Sequence, residues 1–133
     1  MKLSKKSEYA LLALIDLTEH CTQDLVKITD ISQRKSIPKK FLEQILLLLK
    51  NGGYVKSRRG TEGGYKLNRK PETISLAEII RFFDGALAPV ESASKYFYES
   101  TPIEKNQKLL NVFKDIRDFI AQKMEQTTLR DLI

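Results

Sequence analysis

The sequence predicts a mainly α fold with one small β-hairpin. Three observations lead there. Apolar residues recur at three- and four-residue steps through much of the chain, the period of a helix with one buried face. Two short strand-type runs, Tyr54–Lys56 and Tyr65–Leu67, flank a turn rich in glycine, with Arg58 and Arg59 at its base. An unusually apolar helix precedes that hairpin and stops at Gly52-Gly53. A basic hairpin directly after such a helix is the sequence pattern of a wing on a helix-turn-helix domain. The expected organisation is a winged helix-turn-helix domain over 1–85, then a linker and a long C-terminal dimerisation helix over 86–133.

The elements follow in order. Ser4 is placed to cap a first helix, with Glu8 near its first turn. Tyr9, Leu12, Ala13, Ile15 and Leu17 give it a wide apolar face, broken by Asp16, and it ends near Glu19 or His20. A loop over 21–27 leads to a short helix, Ile28–Lys35, with Ile28 and Ile31 inward. Ser36-Ile37-Pro38 breaks it, and Pro38 suits the first turn of a third helix running to Asn51. That helix gathers Lys39, Lys40, Glu43 and Gln44 in its first turns and leucines in its last two. A recognition helix needs this arrangement, because its N-terminal residues meet base edges while its body packs on the domain. A buried core helix with a charged start has the same pattern.

In the hairpin, Gly60, Gly63 and Gly64 permit positive φ and a tight reversal, while Val55 and Leu67 point inward. Pro71 ends the second strand. Ser75, with Glu78 three residues on, reads as a capping box for a fourth helix through Leu76, Ile79, Ile80 and Phe83, stopped at Gly85. Residues 86–103 are punctuated by proline and serine, with one short helix expected around Ala93–Tyr98. From Glu104 to Gln126 the helical period returns in Leu109, Val112, Phe113, Ile116, Phe119, Ile120 and Met124. A rod of roughly 34 Å exceeds what a small winged domain needs, so a second copy of the chain is the expected cover, with packing on its own domain as the alternative. Thr127-Thr128 caps a last turn, Leu129–Ile133.

Composition bounds the function. The 133 residues are 41% hydrophobic and 30% charged, as in an ordinary globular protein. No apolar run approaches the roughly 18 residues of a membrane span, and the amphipathic Met-Lys-Leu-Ser-Lys-Lys start argues against a signal peptide. The single Cys21 excludes an intramolecular disulfide framework and points to the cytoplasm. The net charge of +6 is uneven: residues 1–75 hold 15 Lys/Arg against 8 Asp/Glu, and residues 76–133 hold 8 against 9. The excess lies in the half with the hairpin, as a polyanion-binding module requires.

No catalytic constellation is present. Gly-Thr-Glu-Gly-Gly is a hairpin turn and not a P-loop, because no Gly-Lys-Ser/Thr follows it. His20-Cys21, the only histidine beside the only cysteine, cannot supply the three or four ligands of a metal site. No cofactor or metal is expected, although Cys21 as a thiol redox switch stays open. The candidate DNA contacts are Lys39, Lys40, Glu43 and Gln44 on the third helix, with Lys56, Arg58, Arg59 and Gly60 on the hairpin. An exposed solvated hairpin is the alternative for the second set.

The order Tyr9-Ala10-Leu11, Phe41-Leu42-Glu43-Gln44-Ile45-Leu46, Arg59-Gly60-Thr61-Glu62-Gly63-Gly64-Tyr65-Lys66-Leu67 and Thr128-Leu129-Arg130-Asp131-Leu132 resembles the bacterial Rrf-type winged-helix regulators, the group of IscR, NsrR and CymR, over nearly the whole chain. The resemblance implies a homodimeric transcription factor. In it Glu43 and Gln44 match the recognition-helix motif, Arg59 matches the wing arginine that enters the minor groove, and Lys39 and Lys40 sit where contacts vary. Cluster-binding members carry three cysteines after the fourth helix, where Gly85–Thr101 has none. Glu8 alone, at a position that supplies a ligand in some members, cannot hold an iron–sulfur cluster. The chain therefore resembles the cluster-free, CymR-like branch. Its expected partners are double-stranded DNA bearing an imperfect palindrome, a second copy of itself and an effector of unspecified kind, with no membrane. The alternative is a protein-interaction module that binds an enzyme or regulator through its C-terminal half.

Overall fold

The computed structural model describes residues 1–133. Its elements run α1 (Lys5–Glu19), α2 (Ile28–Lys35), α3 (Lys39–Asn51), β1 (Val55–Arg58), β2 (Gly64–Leu67), α4 (Leu76–Asp84) and α5 (Gln107–Gln126). Short 3-10 turns occupy Pro71–Thr73, Glu91–Ala93, Pro102–Lys105 and Leu129–Leu132. This is the mainly α fold with one antiparallel hairpin that the sequence predicts. No helix is long and apolar enough to cross a membrane.

Ser4 caps α1 as expected, its hydroxyl accepting from the Ser7 N–H at 3.1 Å. Asp84, at the far end of α4, accepts from the Ser4 N–H at 2.9 Å and from the Ser7 hydroxyl at 2.7 Å. The start of α1 is thereby fastened to the end of α4. Asp16, the break in the apolar run of α1, is fully buried. Arg34 of α2 answers it with a two-pronged ion pair, Nε at 2.8 Å and Nη2 at 2.9 Å. The break is therefore the tie between α1 and α2.

α2 ends on Ser36 in the left-handed conformation, φ 53°, and the Ile37 N–H returns to the Ser32 carbonyl at 3.0 Å. Pro38 then caps α3 rather than lying inside its first turn. Leu42, Ile45, Leu46 and Leu49 enter the main core with Ala10, Leu14 and Ile31. Leu47 and Leu48 do not: Leu47 is 57% exposed. Four consecutive leucines at about 100° per residue cover most of a helix's circumference, so they cannot share one buried face. The residue that turns the chain out of α3 is Gly53, φ 81°, while Gly52 stays right-handed.

The hairpin pairs Val55 with Leu67 and Ser57 with Tyr65 on its inner face, and Lys56 with Lys66 on its outer face. Gly60 and Gly64 hold positive φ, but Gly63 does not. Gly63 is required for space instead, since a Cβ there would stand 2.2 Å from the Arg58 carbonyl oxygen. Val26, in the loop after α1, exchanges both backbone hydrogen bonds with Tyr65 at 2.8 Å each.

The expected capping box at α4 is half made. Ser75 accepts from the Glu78 N–H at 3.1 Å, but the Glu78 carboxylate pairs with Arg69 instead of returning to Ser75. A complete box forms at the last turn, between Thr128 and Asp131. There the chain returns to the main core: Leu76 N–H donates to Thr127 at 2.9 Å, and Leu129 N–H donates to Ile74 at 3.0 Å. Leu129 is fully buried in the main core.

No helix forms over Ala93–Tyr98. Glu91–Ala93 makes one 3-10 turn, after which the Ser94 hydroxyl accepts the Phe97 N–H at 2.9 Å, a local bond that competes with helix formation. α5 begins at Gln107 instead of Glu104, because Pro102 opens a separate turn and Asn106 caps the helix by accepting from Leu109 at 3.0 Å. Its 20 residues span about 30 Å.

Candidate nucleic-acid interface

Burying Leu42, Ile45, Leu46 and Leu49 forces the opposite side of α3 outward. Lys39, Lys40, Glu43 and Gln44 all stand exposed on it, and none makes a side-chain hydrogen bond or ion pair within the chain. Their donors and acceptors are open to a ligand. Phe41, half-buried beside them, meets Tyr9 edge to face at 5.4 Å and seats this end of the helix.

The wing stands across from the outer side of α3. Between them lies an open cleft of about 560 Å³, bordered by Lys27 and Thr29 at the start of α2, Leu47 and Lys50 of α3, and Arg58, Arg59 and Gly60 of the wing. Four cations line it and no carboxylate does. Such a cleft concentrates positive potential where a phosphate backbone would lie. Gly60, φ 105°, has nothing within 4 Å of a built Cβ, so the wing tip is open on the side where a side chain there would point.

The structure sorts the predicted wing residues. Arg59 makes no ion pair or hydrogen bond and is free. Arg58 is engaged: its Nη2 donates to Asp24 at 3.1 Å, and Lys66 reaches the other oxygen of the same carboxylate at 3.3 Å. The Lys66 ammonium and then the Arg58 guanidinium hold the Asp24 carboxyl below its ordinary range. Lys56 borders a separate groove with Lys66, Lys70 and Cys21, and not the cleft. Arg69 is a structural residue that pairs with Glu78 and lies 5.6 Å over the Tyr54 ring. Burial, with the nearby Glu78 carboxylate second, pushes the Tyr54 phenol up to about 12. This network anchors the root of the wing to α4.

Lys27, Thr29 and Lys50 are cleft residues that sequence reasoning missed. A signal existed for Lys50: Glu43, Leu47 and Lys50 fall at i, i+4 and i+7, one face of α3. Lys27 and Thr29 carried no such signal, since only the fold sets the start of α2 opposite the wing.

The seven apolar residues expected on one stripe of α5 lie on two faces. Phe113, Ile120 and Met124 pack on the chain itself, joined by the buried Leu110 that the sequence did not single out. Leu109, Val112, Ile116 and Phe119 are exposed, Phe119 to 73%. Segment 87–97, α4 and α5 enclose a second cavity of about 210 Å³, where Arg81 stacks 5.0 Å over Tyr96 and pairs with Glu125 at 2.9 Å.

A three-helix core presenting an unencumbered helix beside a cationic β-wing defines a DNA-binding winged helix-turn-helix transcription regulator. The chain belongs to the Rrf2 family, whose profile, described as "Iron-dependent Transcriptional regulator", matches residues 3–133. It is 33% identical over 132 residues to the HTH-type transcriptional regulator CymR of Bacillus subtilis, covering 99% of this chain and 89% of that protein. The solved structure of that protein, described as the global cysteine regulator of B. subtilis, matches with a TM-score of 0.79 at 32% identity, covering 99% and 95% of the two chains. T. potens IscR matches with a TM-score of 0.76 at 30% identity, over 99% and 85%. A rrf2-like putative regulator of Rhodobacter capsulatus is 33% identical over 137 residues, covering 98% and 91%. The relatives are transcription regulators, and the chain is not an enzyme.

Proposed function

We propose that this protein is a homodimeric, sequence-specific repressor that binds an imperfect palindrome in double-stranded DNA in the cytoplasm and works without an iron–sulfur cluster. The observation that carries the DNA reading is the free face of α3 beside a cleft with four cations and no acid. Lys39, Lys40, Glu43 and Gln44 would enter the major groove, and Arg59 would follow the adjacent minor groove, whose narrow stretches attract arginine. Glu43 would select a base that offers a donor, such as cytosine N4. Lys27 and Lys50 would contact phosphates and set register without reading sequence.

The dimer reading is supported by Leu109, Val112, Ile116 and Phe119, exposed at alternating three- and four-residue steps, the spacing of a coiled-coil seam. Two recognition helices related by a two-fold axis would meet half-sites about 34 Å, or a multiple, apart. A dimer seated there would exclude polymerase from an overlapping promoter.

An iron-dependent profile implies iron, and the residues present do not fit an iron–sulfur cluster. Cys21 is the one thiol, it lies in the loop after α1, and no three His, Cys, Asp or Glu side chains come together in a ligand group. The signal would then act elsewhere. Tyr96, Phe97 and Tyr98, exposed beside α5, favour a second reading in which the C-terminal half binds an enzyme or another regulator.

The test is a gel-shift titration on duplexes selected from random sequence. Arg59→Ala is expected to weaken specific binding by about 1–3 kcal/mol, roughly 5- to 150-fold. Unchanged affinity would remove the wing from the interface. If no duplex is selected at all, the interaction-module reading takes its place.

A further inference from the structure

Asp24 lies outside every helix and strand, yet its carboxylate is shared by two wing cations, Arg58 Nη2 at 3.1 Å and Lys66 Nζ at 3.3 Å. Arg58 belongs to β1 and Lys66 to β2, so one carboxylate bridges both strands of the wing. Two residues further on, Val26 is joined to Tyr65 of β2 by a pair of backbone hydrogen bonds at 2.8 Å. The α1–α2 loop therefore grips the wing twice, once through the backbone and once through charge. The backbone grip explains the wing's attachment. The charge grip needs another reason, because all three groups are substantially exposed, at 64% for Asp24, 61% for Arg58 and 38% for Lys66, and exposed ion pairs add little to stability.

The reason lies in what those cations would do unpaired. A free arginine or lysine on a wing binds the phosphates of any duplex, which raises sequence-independent affinity. Competing non-specific sites vastly outnumber the true one, so the ratio of specific to non-specific binding is what counts. We infer that Asp24 is a positioning and specificity-determining residue: it stands in for a phosphate, occupies Arg58 and Lys66, and leaves Arg59 as the free wing cation that borders the cleft with α3. The inference rests on the wing–DNA reading above and gives it a direction that reading lacks. Removing a surface negative charge at this site lowers discrimination rather than merely strengthening binding.

The experiment titrates the full chain with a selected operator duplex and a scrambled duplex of equal length, from 50 to 200 mM salt. The proteins are wild type, Asp24→Asn, Asp24→Glu and the Asp24→Asn/Arg58→Ala double variant. Each additional phosphate that a released cation neutralises steepens the slope of log K against log salt by about 0.9, which enlarges the loss over that salt range about threefold per cation. Asp24→Asn is expected to bind the scrambled duplex more tightly, to steepen the slope by the equivalent of about one to two phosphates, and to lose selectivity. Asp24→Glu restores wild-type behaviour, and the double variant gives back the part due to Arg58. A merely structural role for Asp24 would move the melting temperature and leave the slope alone. If wild type discriminates between the duplexes while Asp24→Asn has the same slope and ratio, this inference is overturned and the wing reading stands. If wild type shows no salt-dependent binding to either duplex, the wing reading falls, and this inference with it.

Discussion

Replacing Arg34 with methionine removes the only guanidinium from a carboxylate that no solvent reaches. The two halves of this ion pair are not equivalent: the Asp16 side chain is 0% exposed and that of Arg34 is 38% exposed. After Arg34→Met the basic side chain left within 4 Å of the carboxylate is His20, Nδ1 at 3.8 Å, and that atom already meets the Asp16 carbonyl at 2.8 Å. Breaking a buried pair from one side costs about 3–5 kcal/mol. Water entering along the half-exposed arginine path lowers the expected loss to about 2–4 kcal/mol, a large part of the roughly 5–15 kcal/mol that holds a whole domain. Asp16→Leu is the milder change, about 1–2 kcal/mol, because the freed guanidinium can turn to solvent and the leucine fills the site. The double variant should lie close to Asp16→Leu, so the coupling should be about as large as the whole Arg34→Met loss, about 2–4 kcal/mol. Urea unfolding followed by circular dichroism, at one fixed protein concentration so that association does not shift the midpoints, measures all four corners. Equal losses for the two single variants, or a strictly additive double variant, would refute the reasoning.

Phe119→Glu places a charge on the exposed apolar face of α5 and should convert the proposed dimer into a monomer of unchanged helicity; sedimentation at micromolar concentration decides, and a persistent dimer would move the interface elsewhere. Asp84 is pushed up by burial, but hydrogen bonds from Ser4 and Ser7 outweigh this and hold its carboxyl below the ordinary value. A carboxyl lowered in the folded state stabilises above its unfolded pKa of about 4, and the contribution is lost as pH falls below that. Asp84→Asn should therefore flatten the acid side of the stability–pH curve between about pH 4 and pH 2, whereas parallel curves for variant and wild type would contradict the linkage. Leu129→Ala should cost about 2–5 kcal/mol, the range for emptying a fully buried leucine site. Hydrogen exchange should place the loss around Ile74, Leu76 and the core of α1; a denaturation midpoint equal to wild type would show that this turn is not part of the core.

The elements legible in the sequence are those whose limits are set by local chemistry. Ser4 and Ser75 cap their helices with their own hydroxyls, and Gly85 ends α4 at φ 82°. Strand propensity around a glycine turn locates Tyr54–Lys56 and Tyr65–Leu67 to within two residues of the observed strands. What could not be read depends on contacts far apart in the chain. Asp16 is a flaw in a pattern until Arg34, 18 residues away, is brought against it. Glu78 has the spacing of a capping box, but Arg69 competes for its carboxylate and wins. Arg58 and Arg59 are adjacent and identical in type, and only the folded loop at Asp24 distinguishes the engaged one from the free one. In segment 86–103 the hydroxyl of Ser94 and the ring of Pro102 decide against helix, and weak apolar spacing there could not reveal it.

The burial of Leu129 also bears on how the protein is made. Ile74 and the residues of α1 and α3 are synthesised long before Leu129, yet all share one closed core with it. The main core is consequently incomplete in a nascent chain that stops at α4 or within α5. Until residues 127–132 are in place, the Leu76 N–H and the Ile74 carbonyl lack the backbone partners they have in the folded chain. Synthesis thus runs from the first residue onward, while the last stretch of core to close waits for a residue from the other end of the fold. Translation products that end before residue 129 would lack the side chain that closes this part of the core.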